Sequence, residues 1–563
     1  MRSRQLRYPL AVAGLVTVAC LPLIAIGPHV GHSLAWNIEW SRGFAEALAA
    51  GEWYPRWLPA MEMGAGSPIF FYYGSVPFYV TAVPYLLCRR CGDLVALGIG
   101  EWLIVVASAL AFYAFARRHA RPLAAAGAAV VYALLPYHFA IDLTIRQALG
   151  ETAAYVWMPL ALLAVDRIAS GQTGVVRLGV AYALLTMTHV PAALLFSPFL
   201  LVYGLMWTWA ARSGAVLART VVGMALGVLL AAVYLVPALF LQGAISPQFL
   251  WDEPYGYRRW LFGSGDPPKI WFSLRLLWVF LATTVPWLVA WPLAFRTSRN
   301  GDRVRAVAWL LFVGGAWFLM TIVSAPLWNA LPVLQKVQFP WRVGIVLDLG
   351  VAATAVLVLN TIDPSRRVRA IVVTALVAIP VVGTLVFGTQ WARWDLSRRE
   401  DHRAKIAKLV TLAASPPEYF TPGATASPLA VRAALAAAPD LVDLHGAGEV
   451  AVLRRTPRRI AMRVALERPT DVVVRQFYFP GWTARAAGWR EPLRAQPSSP
   501  HGLLAFSLPA GRYDVEVVLT PTWQETAGLF TSALGLVAVG ATCAAQAAAR
   551  RRKRSTRPGS APV

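Results

Sequence analysis

Apolar runs as long as a bilayer is thick decide what this chain can fold into. Residues 9–28, 95–116, 217–239, 270–295, 306–328, 343–360, 370–388 and 527–548 are such runs. Each is close to the ~20 residues a helix needs to cross the hydrocarbon core. Only 14% of the residues are charged, against about 25% in soluble domains. Lipid is the solvent this composition fits, and the chain reads as a polytopic α-helical membrane protein of the inner (plasma) membrane type.

The formal charge of +24 does not point to nucleic acid, because the basic residues lie in short clusters between apolar runs. That pattern sets membrane orientation, with arginine and lysine retained in the cytoplasm. Threading on this rule gives about 12 transmembrane helices. They comprise the eight runs above, 122–140, 153–169 and two helices within 178–211, divided at Val190-Pro191. Arg117, Arg118 and Arg121, then Arg167 and Arg177, then Arg296, Arg299, Arg303 and Arg305, then Arg366, Arg367 and Arg369, all fall on one side. The tail Arg550-Arg551-Arg552-Lys553-Arg554 joins them. Both termini are therefore expected in the cytoplasm, with Arg2, Arg4 and Arg7 ahead of a retained first helix rather than a cleaved signal.

The threading leaves a membrane module at 1–390 with a long first outer loop, 29–94. Within that loop, 69–87 is apolar but broken by Pro68, Gly74, Pro77 and Pro84, which suits a re-entrant or interfacial segment. An extracytoplasmic α+β domain occupies 391–525, Ala-rich and helical through about 440. It becomes β-rich from about 449, where Ile460, Met462, Val464 and Leu466 alternate with other residues, as do Val515, Val517 and Leu519. Period-two alternation between glycine turns predicts a small antiparallel β-sandwich. A last helix at 526–549 and a basic tail at 550–563 complete the chain.

Ionisable residues at membrane depth are costly and are functional candidates for that reason. His138, Asp142, Arg146, Glu151, His189, Arg342 and Asp348 are placed by the threading mostly at the outer ends of separate helices. Arginine there suits phosphate or pyrophosphate, which its planar fork binds well. The alternative for each is an interfacial anchor or a buried ion pair. The outer loop is rich in aromatic residues, among them Trp36, Trp40, Trp53, Tyr54, Trp57 and Tyr72; such rings serve equally as an interfacial belt and as platforms for sugar rings. Its carboxylates include Glu39 and Glu62, the candidates for a general base. Cys88 and Cys91 are placed outside, where they can form a disulfide.

Several segments together carry a family resemblance. Gly51-Glu-Trp-Tyr-Pro-Arg-Trp57, Gly64-Ala-Gly-Ser-Pro-Ile-Phe-Phe-Tyr72, Arg146-Gln-Ala-Leu-Gly-Glu151, Thr188-His189, Gln338-Phe-Pro-Trp-Arg342, Tyr478-Phe-Pro-Gly-Trp482 and Leu508-Pro-Ala-Gly511 occur in this order. The chain thereby resembles bacterial membrane proteins described as "6-pyruvoyl-tetrahydropterin synthase-related", relatives of the YfhO-like proteins; nothing in it resembles a soluble zinc-dependent pterin enzyme. The resemblance implies a GT-C glycosyltransferase architecture. It further implies a polyprenyl-phosphate-linked sugar donor, an envelope glycan or lipid acceptor, and surrounding membrane lipids. Arg146, Glu151, His189, Gln338, Arg342, Trp57 and Tyr72 are then the substrate-binding residues, and arginines, in some members with a divalent metal, stabilise the leaving phosphate. The segment Gly31-His32-Ser33-Leu34-Ala35-Trp36-Asn37 departs from the expected Gly-His-Asp-x-x-x-His. Ser33 cannot act as a carboxylate base, so either Glu39 or another acid replaces it or the chain handles a lipid-linked glycan without transferring it. A secondary transporter is disfavoured, since no paired repeat is visible.

Overall fold

The structure, a computed structural model, describes residues 2–88, 90–250, 255–265, 267, 269–298, 300–360, 404, 415–437 and 440–555. The chain opens with α1 (Arg2–Ala19) and α2 (Leu21–Ile26), separated at Cys20 where Pro22 cannot continue the ladder. The loop that follows folds as α3 (Leu34–Ala49), α4 (Ile69–Tyr72) and α5 (Val76–Leu87). At 12 residues, α5 rises only about 18 Å, well short of a bilayer core. Cys88 and Cys91 are joined by a disulfide.

The bundle continues with α6 (Asp93–Ala116), α7 (Pro122–Leu134), a π-helix (Tyr137–Arg146) and α8 (Leu149–Ala169). Helices α9 (Val175–Thr188) and α10 (Val190–Ala211) meet at His189, whose extended backbone makes the turn. After α11 (Ala215–Leu230) and α12 (Ala232–Phe240) come α13 (Ile270–Thr297) and α14 (Asn300–Met320). The short α15 (Ala325–Ala330) and α16 (Pro332–Gln335) lead into α17 (Gly344–Asn360), which is buried along nearly its whole length. A helix apolar and buried all round belongs at the centre of a bundle. Around it pack Phe112, Tyr132, Tyr137, Tyr155, Phe280 and Trp309.

Among the described residues, eight helices are long and apolar enough to span a membrane, or nine if α11 and α12 form one broken span. The sequence predicts about a dozen. Of the difference, 370–388 lies outside the described residues, 9–28 divides between α1 and α2, and α9 has only 14 residues. Many large apolar side chains stay exposed on these helices, including Trp209, Trp271, Trp278, Leu534 and Val537. Such a surface needs an apolar solvent, so this is a multi-pass membrane protein.

The expected helix at 217–239 departs most from a straight span, bending by 68° between α11 and α12. The groups that meet its broken backbone ladder lie far away in sequence. The Ser532 hydroxyl, on the last helix (Trp523–Ser555), accepts from Val233 N at 2.8 Å and donates to Leu230 O at 2.8 Å. Pro237 cannot donate to the Val233 carbonyl, and Arg56 Nη2 does so instead at 2.7 Å. The freed backbone groups are thus met by side chains.

Beyond the bundle, α18 (Pro428–Ala437) precedes an antiparallel β domain, and α19 (Trp523–Ser555) follows it. Strands β1 (Val442–Leu444), β4 (Thr470–Phe477), β7 (Leu503–Leu508) and β6 (Gln496–Pro497) form one sheet in that order. The other sheet runs β2 (Gly448–Thr456), β3 (Arg459–Leu466), β8 (Gly511–Leu519), β5 (Trp482–Ala486). Pairing Ile460 with Val517 and Met462 with Val515 turns the alternating residues of both strands to one face. They share a core with Val472, Val474, Leu504 and Phe506 of the facing sheet. The sandwich expected from the alternation is therefore present.

Candidate functional site

The first loop is stitched to the β domain, and this decides the fate of several site candidates. Glu62 is buried and paired with Arg432, whose Nε and Nη2 lie 2.9 and 3.1 Å from its two oxygens. It also accepts from Ser415 N. Glu62 and Met63 both have positive φ, a tight turn that this pairing holds in place. Phe477 N donates to Ala65 O at 2.7 Å. Trp57 inserts into the same interface, its ring centroid 5.8 Å from Phe479 and 5.7 Å from Trp482. Glu62 and Trp57 thus join loop to domain.

Tyr72 takes part in a second seam. Its hydroxyl donates to Leu241 O at 2.6 Å, and its carbonyl accepts from Tyr234 Oη at 2.6 Å. Glu39 faces neither seam. Both of its oxygens lie 2.6 Å from Arg42 Nη2, and Arg42 reaches on to Asp93 at 3.2 Å. Burial pushes the Glu39 carboxyl above its ordinary pKa, with Arg42 opposing that shift.

Four of the remaining candidates converge with Asp142 on one buried cluster. The π-helix ends at Arg146, and Gln147 reverses the chain in the left-handed region with φ 54°. This turn brings Arg146 back toward Glu151 in the first turn of α8. Arg146 Nη1 donates to Glu151 Oε2 at 2.9 Å and to Asp142 Oδ1, and it lies 3.4 Å from the Tyr137 hydroxyl. That hydroxyl donates to Glu151 Oε1 at 2.8 Å. The guanidinium also lies 4.6 Å from the Trp341 ring centroid, a cation–π contact.

Arg342 enters from a turn before α17. Its Nη1 donates to Val337 O at 2.9 Å and to Gln338 Oε1 at 3.3 Å. Its Nε is 3.6 Å from Glu151 Oε2, beyond hydrogen-bond length. Gln338 has φ 68° and donates to Leu250 O at 2.7 Å, which fixes the turn presenting Arg342. His189 caps α10, its Nδ1 accepting from Ala192 N at 3.2 Å. A Cβ on Gly150 would lie 3.2 Å from the His189 ring and 3.3 Å from Tyr73 Oη, so both side chains flank the Glu151 turn.

The segment carrying Ser33 is built against the same turn. His32 N donates to Ile145 O at 3.0 Å, Ser33 N to Arg146 O at 3.1 Å, and Asn37 Nδ2 to Gln147 O at 2.7 Å. Gly31 is required here, since a Cβ would fall 2.5 Å from Gln147 Cγ and 2.8 Å from two carbonyl oxygens. His32 is pushed below its ordinary pKa by burial and then by Lys269 and Arg146.

His138 and Asp348 form a separate knot. Asp348 Oδ2 accepts from His138 N and Tyr155 Oη, each at 3.1 Å, and the His138 ring stacks on Tyr155 at 3.6 Å.

Electrostatically, the main cluster sets two arginines against two carboxylates. Its hydrogen bonding is incomplete: Arg342 Nε, Trp341 Nε1 and Asp142 Oδ2 are buried without hydrogen-bond partners among the described residues. Buried donors without acceptors are costly, of order 1–3 kcal/mol each, and an anionic ligand is one way to satisfy them. No group of three or more His, Cys, Asp or Glu side chains that could hold a metal occurs among the described residues.

One carboxylate near this site carries no sequence signal of its own. Glu418 lies in a short turn, Pro417–Tyr419, on the way into the β domain. It sits in a Pro- and Ala-rich stretch without periodicity, where only Pro-Pro-Glu-Tyr, a rigid turn presenting an acid, hints at it. Compared with known families and with curated proteins, the chain matches neither a family model nor a relative.

Proposed function

We propose that this protein is a membrane glycosyltransferase of GT-C type. It takes a sugar from a polyprenyl-phosphate-linked donor and passes it to an extracytoplasmic envelope glycan or lipid. One observation carries the reading. Arg146 and Arg342, from two separate elements, converge beside Trp341 where buried donors lack acceptors. Arginine forks and an indole N–H suit phosphate oxygens, and a cluster inside an apolar bundle suits a phosphate on a lipid. As donor bond cleavage loads charge onto the phosphate, Arg342 is the freer of the two cations to meet it.

A second reading, a non-catalytic protein that binds or hands on lipid-linked glycan, is favoured by the other acids. Glu39 and Glu62 are both held in ion pairs, and Ser33 stands where the family resemblance expects an aspartate. Mass spectrometry of envelope glycans and glycolipids from cells with and without the protein separates the two. A transferase leaves a sugar missing that the wild-type chain restores and Arg342→Ala does not. An unchanged profile leaves the non-catalytic reading.

A further inference from the structure

We propose that Glu418 is the general base that takes the acceptor's proton; this rests on the transferase reading above. The turn carrying it is anchored on two sides. Ser246 N donates to the Glu418 carbonyl at 3.0 Å, and the Tyr419 ring lies 6.3 Å from both Trp40 and Tyr72. The adjoining segment, Pro247–Leu250, is tied to the arginine cluster by Gln338, which bonds Leu250 O at 2.7 Å. The Glu418 turn thus packs on the segment that Gln338 ties to the arginine cluster, where the chain enters the β domain and an acceptor attached to an envelope polymer would arrive.

Its surroundings differ from those of the four acids paired in the first loop, the arginine cluster and the last helix. Glu39, Glu62, Glu151 and Glu525 each form an ion pair within 4.0 Å. Glu418 forms none among the described residues, and its side chain is half-buried rather than enclosed. The titratable groups that sense its charge are Arg342, Tyr73 and Tyr419. Arg342 is the cation assigned above to the leaving phosphate, so the acid lies within electrostatic reach of it. Burial lifts the Glu418 pKa to about 7, with Arg342 opposing the shift, close to where a general base works best at neutral pH.

The step balances without a further reactant. The acceptor hydroxyl oxygen bonds to the anomeric carbon as the bond from that carbon to the lipid phosphate breaks. The electron pair leaves on the phosphate oxygen facing Arg342, and the hydroxyl proton moves to the Glu418 carboxylate. Attack opposite the leaving group inverts the anomeric centre.

The test complements cells lacking the protein with the full-length wild type, Glu418→Gln or Glu418→Asp, and measures envelope glycans and glycolipids by mass spectrometry. Binding of each purified chain to vesicles doped with polyprenyl phosphate is measured alongside. Removing a general base lowers rates by roughly 10²–10⁴-fold. The expected result is a product restored by wild type, partly restored by Glu418→Asp and lost in Glu418→Gln, with vesicle binding unchanged in all three. Wild-type product levels from Glu418→Gln would overturn the role of Glu418 and leave the transferase standing. A glycan profile that wild type itself does not alter would overturn the transferase reading, and the base with it. Loss of vesicle binding together with product in Glu418→Gln would make Glu418 a structural residue of the site and also overturn the proposal.

Discussion

Helix α8 carries a buried carboxylate near each end, and the two are treated very differently. At its C-terminal end, Asp166 is satisfied on both oxygens. His119 Nε2 lies 2.6 Å from one, and Tyr203 Oη donates to the other at 2.6 Å. Arg305 stands 3.9 Å away as a second counter-charge. At the N-terminal end, Glu151 also accepts on both oxygens but shares Arg146 with Asp142. Donors go unmet at both ends, yet Arg305 is paired with Asp302 at 2.8 Å, whereas Arg342 comes no closer than 3.6 Å to a carboxylate among the described residues. A cation paired closely with a carboxylate fastens packing, whereas one held only by neutral acceptors keeps its charge available for an anion. Asp166 fastens helices together, whereas the Glu151 end leaves Arg342 short of a close counter-charge.

The largest effect should follow from breaking the Asp166 end. Asp166→Ala strands His119 and Tyr203 and takes a counter-charge from Arg305, and removing one member of a buried ionic cluster costs about 3–5 kcal/mol. Thermal unfolding of the purified protein in detergent should show a marked fall in Tm. A Tm within error of wild type would erase the contrast between the two ends.

The clamp between loop and β domain should come next. Glu62→Gln leaves Arg432 near Ser415 without its carboxylate, at a cost of about 2–3 kcal/mol. Faster limited proteolysis of the first loop is the expected outcome, and it should be matched by Arg432→Gln with little further effect in the double variant. Independent, additive effects would show that the pair does not hold the clamp.

A smaller effect, confined to one pH range, should come from Glu418. Its folded pKa of about 7 stands above the ordinary 4.5. A raised carboxyl contributes stability that is complete below the unfolded value and is lost as pH rises through the folded one. Glu418→Gln should therefore raise Tm relative to wild type at pH 8 and leave the two alike near pH 4. Equal Tm differences at both pH values would remove the burial cost assigned to this carboxyl.

How much of the fold and the site is legible in the sequence depends on how far apart the partners lie. The alternation at Ile460–Leu466 and Val515–Leu519 is local, and it yields the strands and their buried face directly. The gathering of Arg146, Glu151, His189 and Arg342 follows from the cost of charge at membrane depth, which needs no knowledge of packing. The break at Ala231 is not legible, because the side chains that meet its freed backbone groups, Ser532 and Arg56, come from distant parts of the chain. Glu62 reads as a free loop acid until Arg432 is placed beside it, 370 residues away. Trp57 and Tyr72 read as sugar platforms for the same reason: aromatic composition does not show which surface they pack against. The π-helix before Arg146 has no sequence signature, and neither does the left-handed Gln147 that follows it.

The central claim is that the cluster around Arg342, and not the one around Asp166, holds a lipid-borne phosphate. The direct measurement is binding of vesicles doped with polyprenyl phosphate to wild type, Arg342→Ala and Asp166→Asn, each checked as folded at the assay temperature. Losing a charge-assisted bond worth about 1.5–3 kcal/mol should weaken Arg342→Ala at least ~10-fold while Asp166→Asn binds as wild type. Equal binding by wild type and Arg342→Ala, or a loss that falls on Asp166→Asn instead, would contradict the account.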